Sequence, residues 1–228
     1  MFVSRSMTRK VITVQKETSL LQAKALMQSN KIRHLPVVDE EKRLVGILSD
    51  RDLRCALPTA LLRDEDRSEE EKKYAHLKVA DVMTPDPITI QPTHTLQDAL
   101  LFIQDKKVGA FPVVNEKGIL KGMLSVRDLL RAFINVMGIG QPGTLLCILV
   151  EEKVGQMKKI VDVITEEKIS MGSILVARYW EENKRAVFPY LLTNNVVRVK
   201  KKLQDLGFEL LDPMLWYLDQ IPQHEDSV

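Results

Sequence analysis

The hydrophobic positions follow the same order of periods twice in the first two thirds of the chain. In the first pass, a short apolar run at residues 11–14 predicts a strand, and apolar positions at helical spacing from residue 20 to 27 predict a helix. Two further apolar runs, residues 35–38 and 44–48, predict a pair of strands, and a second helix begins after Ser49. Each pass therefore predicts the order β-α-β-β-α.

The two passes are copies of one unit. When the chain is shifted against itself by 76 residues, about 20 of the 47 positions from Met7 to Leu53 are identical, and no gap is needed. Pro36-Val37-Val38 falls on Pro112-Val113-Val114, and Ser49-x-x-Asp52 falls on Ser125-x-x-Asp128. A duplicated unit predicts a pseudo-two-fold arrangement with a ligand site at the seam between the halves.

The pattern changes after Gly143. Strand-like runs at residues 145–151, 174–180, 186–192 and 208–211 alternate with helical spacing at 156–168 and after Asn195. The order β-α-β-β-α-β is typical of a ferredoxin-like sandwich. The fold class is therefore α/β (α+β). The expected segments are a first repeat (1–57), a charged linker (58–77), a second repeat (78–135), a glycine hinge (136–143), a C-terminal domain (144–218) and a polar tail (219–228).

Composition narrows the function classes. A net charge of +2 with 45% apolar and 28% charged residues favours a globular protein without general attraction for nucleic acid or a membrane surface. Two cysteines without C-x-x-C spacing fit the cytoplasm, and the longest apolar run, residues 145–150, is too short to span a bilayer. The four histidines are too dispersed for a local metal site, and no nucleophile–base pair is visible, so we expect neither a metal nor an enzyme.

The repeated Gly-apolar-x-Ser-x-x-Asp motif, with Met-Thr and Pro-Val-Val upstream, resembles the cystathionine-β-synthase (CBS) domain family, whose repeats pair as a Bateman module. The resemblance covers residues 1 to about 135. It implies a regulatory protein without catalysis that binds an adenine nucleotide (ATP, ADP or AMP) or a related adenosyl ligand in clefts between the repeats. The alternative is a protein–protein interaction scaffold whose clefts bind no nucleotide.

Ser49 lies where a strand ends and a helix begins, so free N–H groups there favour a phosphate. Asp52 can accept hydrogen bonds from ribose hydroxyls, and Arg51 adds positive charge. Ser-x-x-Asp is equally a helix capping box, so both interpretations stay open. The resemblance implies a first cleft formed by Ser49, Asp52, Arg33, His34, Thr84, Ile88 and Val108.

By the same resemblance, the second cleft contains Ser125, Asp128, Thr8, Ile12, Ile32 and Arg127. Its counterparts of Arg33 and His34 are the uncharged Gly109 and Ala110. We therefore predict that the first cleft is the better phosphate site.

The C-terminal pattern resembles an ACT domain, a module that binds amino acids at dimer interfaces. Where that family carries Asp-x-Pro-Gly, this chain has Glu152-Lys153-Val154-Gly155, so Val154 and Gly155 mark the expected ligand loop, with a plain turn glycine as the alternative. The order of modules is similar to the bacterial acetoin-utilisation CBS–ACT family. Because both module types bury apolar faces against a copy of themselves, we expect a homodimer, and the regulatory role implies a partner protein that the sequence does not identify.

Overall fold

The computed structural model describes residues 1–57, 74–181 and 183–211. The chain divides into two compact units, Met1–Arg131 and Ala132–Val228. Most of the expected linker (58–77) and the whole expected tail (219–228) lie outside the described residues. Among the described helices, none combines the length and apolar character needed to cross a membrane.

The first unit contains the predicted repeats. Its elements in chain order are α1 (Val3–Ser6), α2 (Leu20–Asn30), β1 (His34–Val38), β2 (Leu44–Ser49), α3 (Asp50–Ala56), a 3-10 helix (Val79–Asp81), β3 (Thr84–Pro85), α4 (Leu96–Lys106), β4 (Ala110–Val114), β5 (Leu120–Ser125) and α5 (Val126–Met137). The last helix continues past the boundary between the units.

The two hairpins have the same register. Strands β1 and β2 pair antiparallel with His34 opposite Ser49, and β4 and β5 pair antiparallel with Ala110 opposite Ser125. Both hairpins shift register at the second valine of the Pro-Val-Val run, so even this irregularity is duplicated. The register brings the residues that precede each Pro-Val-Val run next to the start of the helix that closes the repeat.

The start of each repeat pairs with the hairpin of the other. Thr84 in β3 pairs with Ile47 in β2, and Thr8 forms a bridge with Met123 in β5 through two backbone hydrogen bonds of 2.8 and 2.9 Å. Because each half supplies backbone partners to the other, neither hairpin completes its pairing alone.

The predicted first strands are much shorter than expected. Of residues 11–14 only Val14 pairs, by one parallel bridge to Val37, and of residues 88–90 only Ile90 pairs, with Val113. Extending the parallel pairing beyond the Val14–Val37 bridge would require a backbone N–H from Pro36, which proline lacks. Pro112 prevents extension of the Ile90–Val113 pairing in the same way. The segment around Ile12 therefore remains outside the sheet.

The predicted helix starts of the first unit are confirmed, whereas in the second unit Val196, and not Asn195, precedes the last helix without a side-chain cap. Ser19, Thr95 and Ser49 each close a capping box at the first turn of α2, α4 and α3, respectively. The helices cover the strands of their repeat, and in the first repeat the buried side chains form one continuous core. Leu20, Leu35 and Leu48 are fully buried in it.

The second unit has the predicted β-α-β-β-α-β order. Its elements are β6 (Thr144–Leu145), β7 (Cys147–Glu151), α6 (Gln156–Glu166), β8 (Met171–Glu181), β9 (Lys184–Leu191), α7 (Val197–Asp205) and β10 (Glu209–Leu211). The strands lie antiparallel in the order β10-β7-β9-β8, and β6 continues the line of β7 along β9. This is the strand order of a ferredoxin-like sandwich. The apolar faces of α6 and α7 pack on the sheet around Ile148, Ile160 and Leu203.

The expected glycine hinge begins at the end of helix α5. Helix α5 continues to Met137, whose carbonyl accepts a hydrogen bond of 2.9 Å from the Ser173 hydroxyl. The Tyr190 hydroxyl donates to the Gln141 carbonyl at 2.6 Å. Both bonds join the segment to the sheet of the second unit, and a hinge at residues 136–143 stays a prediction.

Candidate functional site

The main candidate site is a cavity of about 550 Å³ in the first unit, which we call the Ser125–Asp128 cavity. This volume lies within the range of small-molecule sites. Both repeats contribute to it, and its lining residues are Thr8, Lys10, Val11, Ile12, Lys31, Ile32, Arg33, His34, Gly109, Ala110, Met123, Ser125, Val126, Arg127, Asp128 and Arg131.

The first turn of α5 forms one wall of the cavity. The Ser125 N–H and hydroxyl both donate to Asp128 Oδ2, at 2.9 and 2.6 Å, and the Asp128 N–H donates back to Ser125 Oγ at 3.3 Å. The positive end of the helix dipole therefore lies at the cavity. The other carboxylate oxygen of Asp128, Oδ1, faces Arg131 Nη1 at 3.4 Å. The buried Asp128 carboxylate is thus held in place through Oδ2. Its Oδ1 atom can exchange the contact with Arg131 for a contact with a ligand.

Cations surround the opening. The side chains of Lys10, Lys31, Arg33, Arg127 and Arg131 line the cavity, and all five are exposed. Within the part of the chain that the structure describes, only Arg131 of this group forms an ion pair, and its partner is Asp128. Among the described residues, the positive charge around the opening is therefore largely uncompensated.

His34 joins the two halves. Its Cε1 atom lies 3.9 Å from the position that a Cβ would take on Gly109, so a larger side chain at that position would contact the ring. Burial lowers the pKa of His34, while the Asp52 and Asp50 carboxylates oppose that change and Arg33 adds to it. The imidazole is therefore held in the neutral form in the free protein at neutral pH.

Eight of the predicted site residues meet at this cavity. The six residues predicted for the second cleft, Thr8, Ile12, Ile32, Ser125, Arg127 and Asp128, all line it, and they are joined by Arg33 and His34. Arg33 and His34, which were predicted for the first cleft, thus also line the Ser125–Asp128 cavity.

The other predicted residues lie elsewhere. Ser49 and Asp52 form the same capping box as their counterparts, with the Ser49 N–H and hydroxyl both 2.7 Å from Asp52 Oδ2. Thr84 is the first residue of β3. The residues of the predicted first cleft that do not line the Ser125–Asp128 cavity are Ser49, Arg51, Asp52, Thr84, Ile88 and Val108.

Three cationic cavity residues were missed from the sequence: Lys10, Lys31 and Arg131. The repeat itself carried a signal for two of them. Under the shift of 76 residues Lys10 falls on Asp86 and Arg131 falls on Cys55, so these are positions at which the copies differ in charge. Lys31 falls on Lys107 and gives no such contrast.

The predicted ligand loop of the C-terminal unit has no closed site around it. Val154 is fully exposed, and Gly155 stands before α6 with φ +94° and no heavy atom within 4 Å of the position that a Cβ would take. This geometry is that of a turn glycine at a helix start, which was the alternative interpretation. Within the described ranges, no group of three or more His, Cys, Asp or Glu side chains is placed to hold a metal ion.

The CBS domain family profile matches residues 3–59 and 79–135. These segments correspond to the two repeats of the first unit. The chain therefore belongs to the CBS domain family, and its first unit is a CBS domain pair, or Bateman module.

Known relatives resemble the same region. A CBS domain-containing protein of Dictyostelium discoideum is 35% identical over 135 residues, which are 59% of this chain and 92% of that protein. The inosine-5'-monophosphate dehydrogenase of Aquifex aeolicus is 32% identical over 121 residues, but these are 53% of this chain and only 22% of the enzyme. The similarity to the dehydrogenase is confined to the CBS region and does not include a catalytic domain.

Two solved structures share the fold of this region. Arabidopsis thaliana CBSX2, crystallised in complex with AMP, is 30% identical with a TM-score of 0.50, and the match covers 58% of this chain and 96% of that one. A proposed acetoin utilization protein (AcuB) of Vibrio cholerae is 30% identical with a TM-score of 0.51, covering 61% and 95%.

Proposed function

We propose that this chain is a non-enzymatic regulatory protein that binds an adenine nucleotide in the Ser125–Asp128 cavity. The observation that carries the proposal is the position of Asp128, a buried carboxylate fixed at a helix start beside a cavity with cationic side chains around it. The AMP complex of CBSX2, a relative of the same domain pair, supports the choice of ligand. The two free cysteines, Cys55 and Cys147, fit the cytoplasm as its compartment.

Each part of a nucleotide has a suitable surface. Asp128 Oδ1 is the proposed acceptor for ribose hydroxyls, which would displace Arg131 from its 3.4 Å contact. The Thr8 hydroxyl is the proposed donor to phosphate oxygens, and the positive end of α5 is the proposed source of further attraction for them. The apolar lining at Ile12, Ile32, Val11, Ala110 and Met123 is the proposed seat of the base.

The pseudo-symmetric position remains a second proposed cleft. Ser49 and Asp52 hold the same geometry there as Ser125 and Asp128, and Arg51, Thr84, Ile88 and Val108 are its further proposed residues. Helix α3 at that cleft has only seven residues, whereas α5 has twelve. We therefore propose that this Ser49–Asp52 cleft, predicted from the sequence to be the better phosphate site, binds more weakly than the Ser125–Asp128 cavity, because the shorter helix and the nearby Asp50 favour an anion less.

Calorimetry on the full chain with ATP, ADP, AMP and adenosine tests the proposal. Asp128→Ala should weaken nucleotide binding at the tighter site by about tenfold to a hundredfold, as expected for a lost hydrogen bond to a charged group. Asp52→Ala is the matched control, because it removes the same capping box from the other repeat and should leave the tighter site unchanged. If no adenosine compound binds the folded wild-type chain, the proposed function is wrong and the scaffold alternative is favoured.

We further propose that the ferredoxin-like unit acts as an ACT-like regulatory module, with Val154 and Gly155 near an amino acid site. The strand order supports the ACT-like assignment. A thermal-shift panel of the twenty amino acids is the test, since a ligand present at 100 times its Kd adds about 2.7 kcal/mol to stability. A flat panel would leave dimerisation as the role of this unit.

A homodimer is the proposed assembly. Val126, Leu130, Phe133 and Ile134 recur at helical spacing along α5 and are each more than 40% exposed, which is costly for large apolar side chains in a monomer. Light scattering should give twice the chain mass of 26.0 kDa, and Leu130→Glu with Phe133→Glu should reduce it to one chain. An unchanged mass in that variant would place the interface elsewhere. The regulated partner protein is not defined by these features.

A further inference from the structure

The two clefts of the domain pair differ in charge although their backbones are copies. The Ser125–Asp128 cavity is lined by five full cations and one carboxylate. The shift of 76 residues gives each lining residue an equivalent position in the other repeat. These equivalent positions contain three cations, Arg33, Arg51 and Lys107, and three carboxylates, Asp50, Asp52 and Asp86. Arg33 belongs to both sets, so the difference arises from the other positions.

Three substitutions between the copies account for most of the difference. Lys10 takes the place of Asp86, Val126 takes the place of Asp50, and Arg131 takes the place of Cys55. Each change moves the Ser125–Asp128 cavity toward positive charge. Helix capping does not require this excess of positive charge, because Ser49 and Asp52 close the same capping box among equal numbers of cations and carboxylates.

The cations approach the cavity from separate elements. Lys10 precedes the Val14 bridge, Lys31 ends α2 with φ +52°, and Arg127 and Arg131 stand one turn apart on α5. Of these, only Arg131 has an ion-pair partner within the described residues, and that partner is the carboxylate that a ribose would occupy. Ribose binding at Asp128 would therefore release a further guanidinium toward the rest of the ligand.

We propose that the Ser125–Asp128 cavity is selective for a nucleoside carrying two or more phosphates, and that its pseudo-symmetric counterpart is not. The proposal rests on the proposed function, namely that an adenine nucleotide binds in this cavity. A nucleotide with several phosphates compensates the four or five cations of the cavity, whereas a nucleotide with one phosphate leaves most of them unpaired. A cationic adenosyl compound adds to the repulsion among these cations. Selectivity for phosphate number thus arises from the charge differences between two copies of one unit.

The test compares ATP, AMP, adenosine and S-adenosylmethionine by calorimetry on the full chain at 50 and 500 mM NaCl. We expect ATP to bind at least tenfold more tightly than AMP, and S-adenosylmethionine to bind no more tightly than adenosine. Added salt should weaken ATP binding more than adenosine binding, because salt screens exposed charges.

Two variants locate the effect. The double variant Lys10→Asp, Arg131→Ala should reduce the ratio of ATP affinity to adenosine affinity at least tenfold. The single variant Lys10→Asp leaves the ion pair between Asp128 and Arg131 intact and should reduce this ratio less. Lys107→Asp in the other cleft and Lys16→Asp on the exposed surface are the controls and should leave the ratio unchanged. An unchanged ratio in both Lys10 variants, or a loss confined to Lys107→Asp, would overturn the inference. Adenosine and AMP binding without a preference for ATP would overturn it while leaving the proposed function in place, whereas absence of binding by all four compounds would overturn both.

Discussion

The sulfur of Met83 lies 2.6 Å from the position that a Cβ would take on Gly46, which is closer than real Cβ atoms come to a neighbour. The same contact recurs in the other copy, where Met7 Sδ lies 2.7 Å from the Cβ position of Gly122. In both cases the methionine belongs to one repeat and the glycine to the other. The two repeats are therefore interlocked at two equivalent points, each of which has room only for a hydrogen.

The first prediction follows from this contact. Gly46→Ala and Gly122→Ala should each destabilise the first unit by about 1–3 kcal/mol, because the new methyl group must displace a sulfur and also approaches a backbone carbonyl oxygen at 3.1 and 2.9 Å, respectively. Urea unfolding followed by circular dichroism measures the change. Gly140→Ala is the control, since no heavy atom lies within 4 Å of its Cβ position, and it should change stability by less than about 0.5 kcal/mol. Equal effects of all three substitutions would argue against the interlock.

The second prediction concerns pH. Burial lowers the pKa of His34 in the folded protein below that of an unfolded histidine, which is about 6.5. The stability that neutral His34 contributes is therefore present above pH 6.5. It is lost as the pH falls through the pKa of His34 in the folded protein. A bound phosphate would raise the pKa of His34, so ATP binding should take up a proton and tighten as the pH falls from 7.5 to 6.

His34→Gln separates this effect from titration of the nucleotide itself. The variant should take up no proton on binding ATP, as measured in buffers of different ionisation enthalpy. Its ATP affinity should vary with pH only as far as the titration of ATP itself requires. If wild type and His34→Gln show the same pH profile, His34 does not contact the bound phosphates.

The repeat, the helix starts and the strand pairs were predictable because each depends on local pattern. Capping residues such as Ser49 and Thr95 satisfy backbone groups within four residues of themselves. The short pairing of Val14 and Ile90 was harder to foresee, because it depends on a missing N–H at Pro36 or Pro112 in a neighbouring strand. Strand pattern alone does not show which neighbour a strand meets.

The cavity was predicted less well than the fold for a related reason. Arg33 and His34 were assigned to the first cleft from the family resemblance, whereas Lys10 and Arg131 come from segments far apart in sequence. The pairing of Thr8 with Met123 brings the segment containing Lys10 to the start of α5. The charge of the cavity thus depends on residues that both repeats contribute. A comparison of the two copies position by position reveals which residues carry it.

The third prediction distinguishes the two thiols. Burial raises the pKa of the Cys147 thiol to about 11, so very little reactive thiolate is present at pH 8, while Cys55 is exposed. An aromatic disulfide reagent should therefore titrate one thiol per folded chain rapidly and two thiols in denaturant. Cys55→Ser should abolish the rapid phase, and a rapid phase that persists in that variant would mean that Cys147 is accessible.

The last prediction concerns the segment that was expected to be a hinge. Ser173→Ala combined with Tyr190→Phe removes both hydrogen bonds that anchor Met137 and Gln141, which should cost about 1–3 kcal/mol in the second unit and increase amide hydrogen exchange across residues 138–143. Thr165→Val is the matched control, because its hydroxyl donates at 2.8 Å to Val161 within α6 and has no contact with this segment. Mass spectrometry of peptides from residues 132–145 resolves the outcome. If exchange there is already fast in the wild type and the double variant leaves it unchanged, the two bonds do not hold the segment and a hinge at 136–143 is supported.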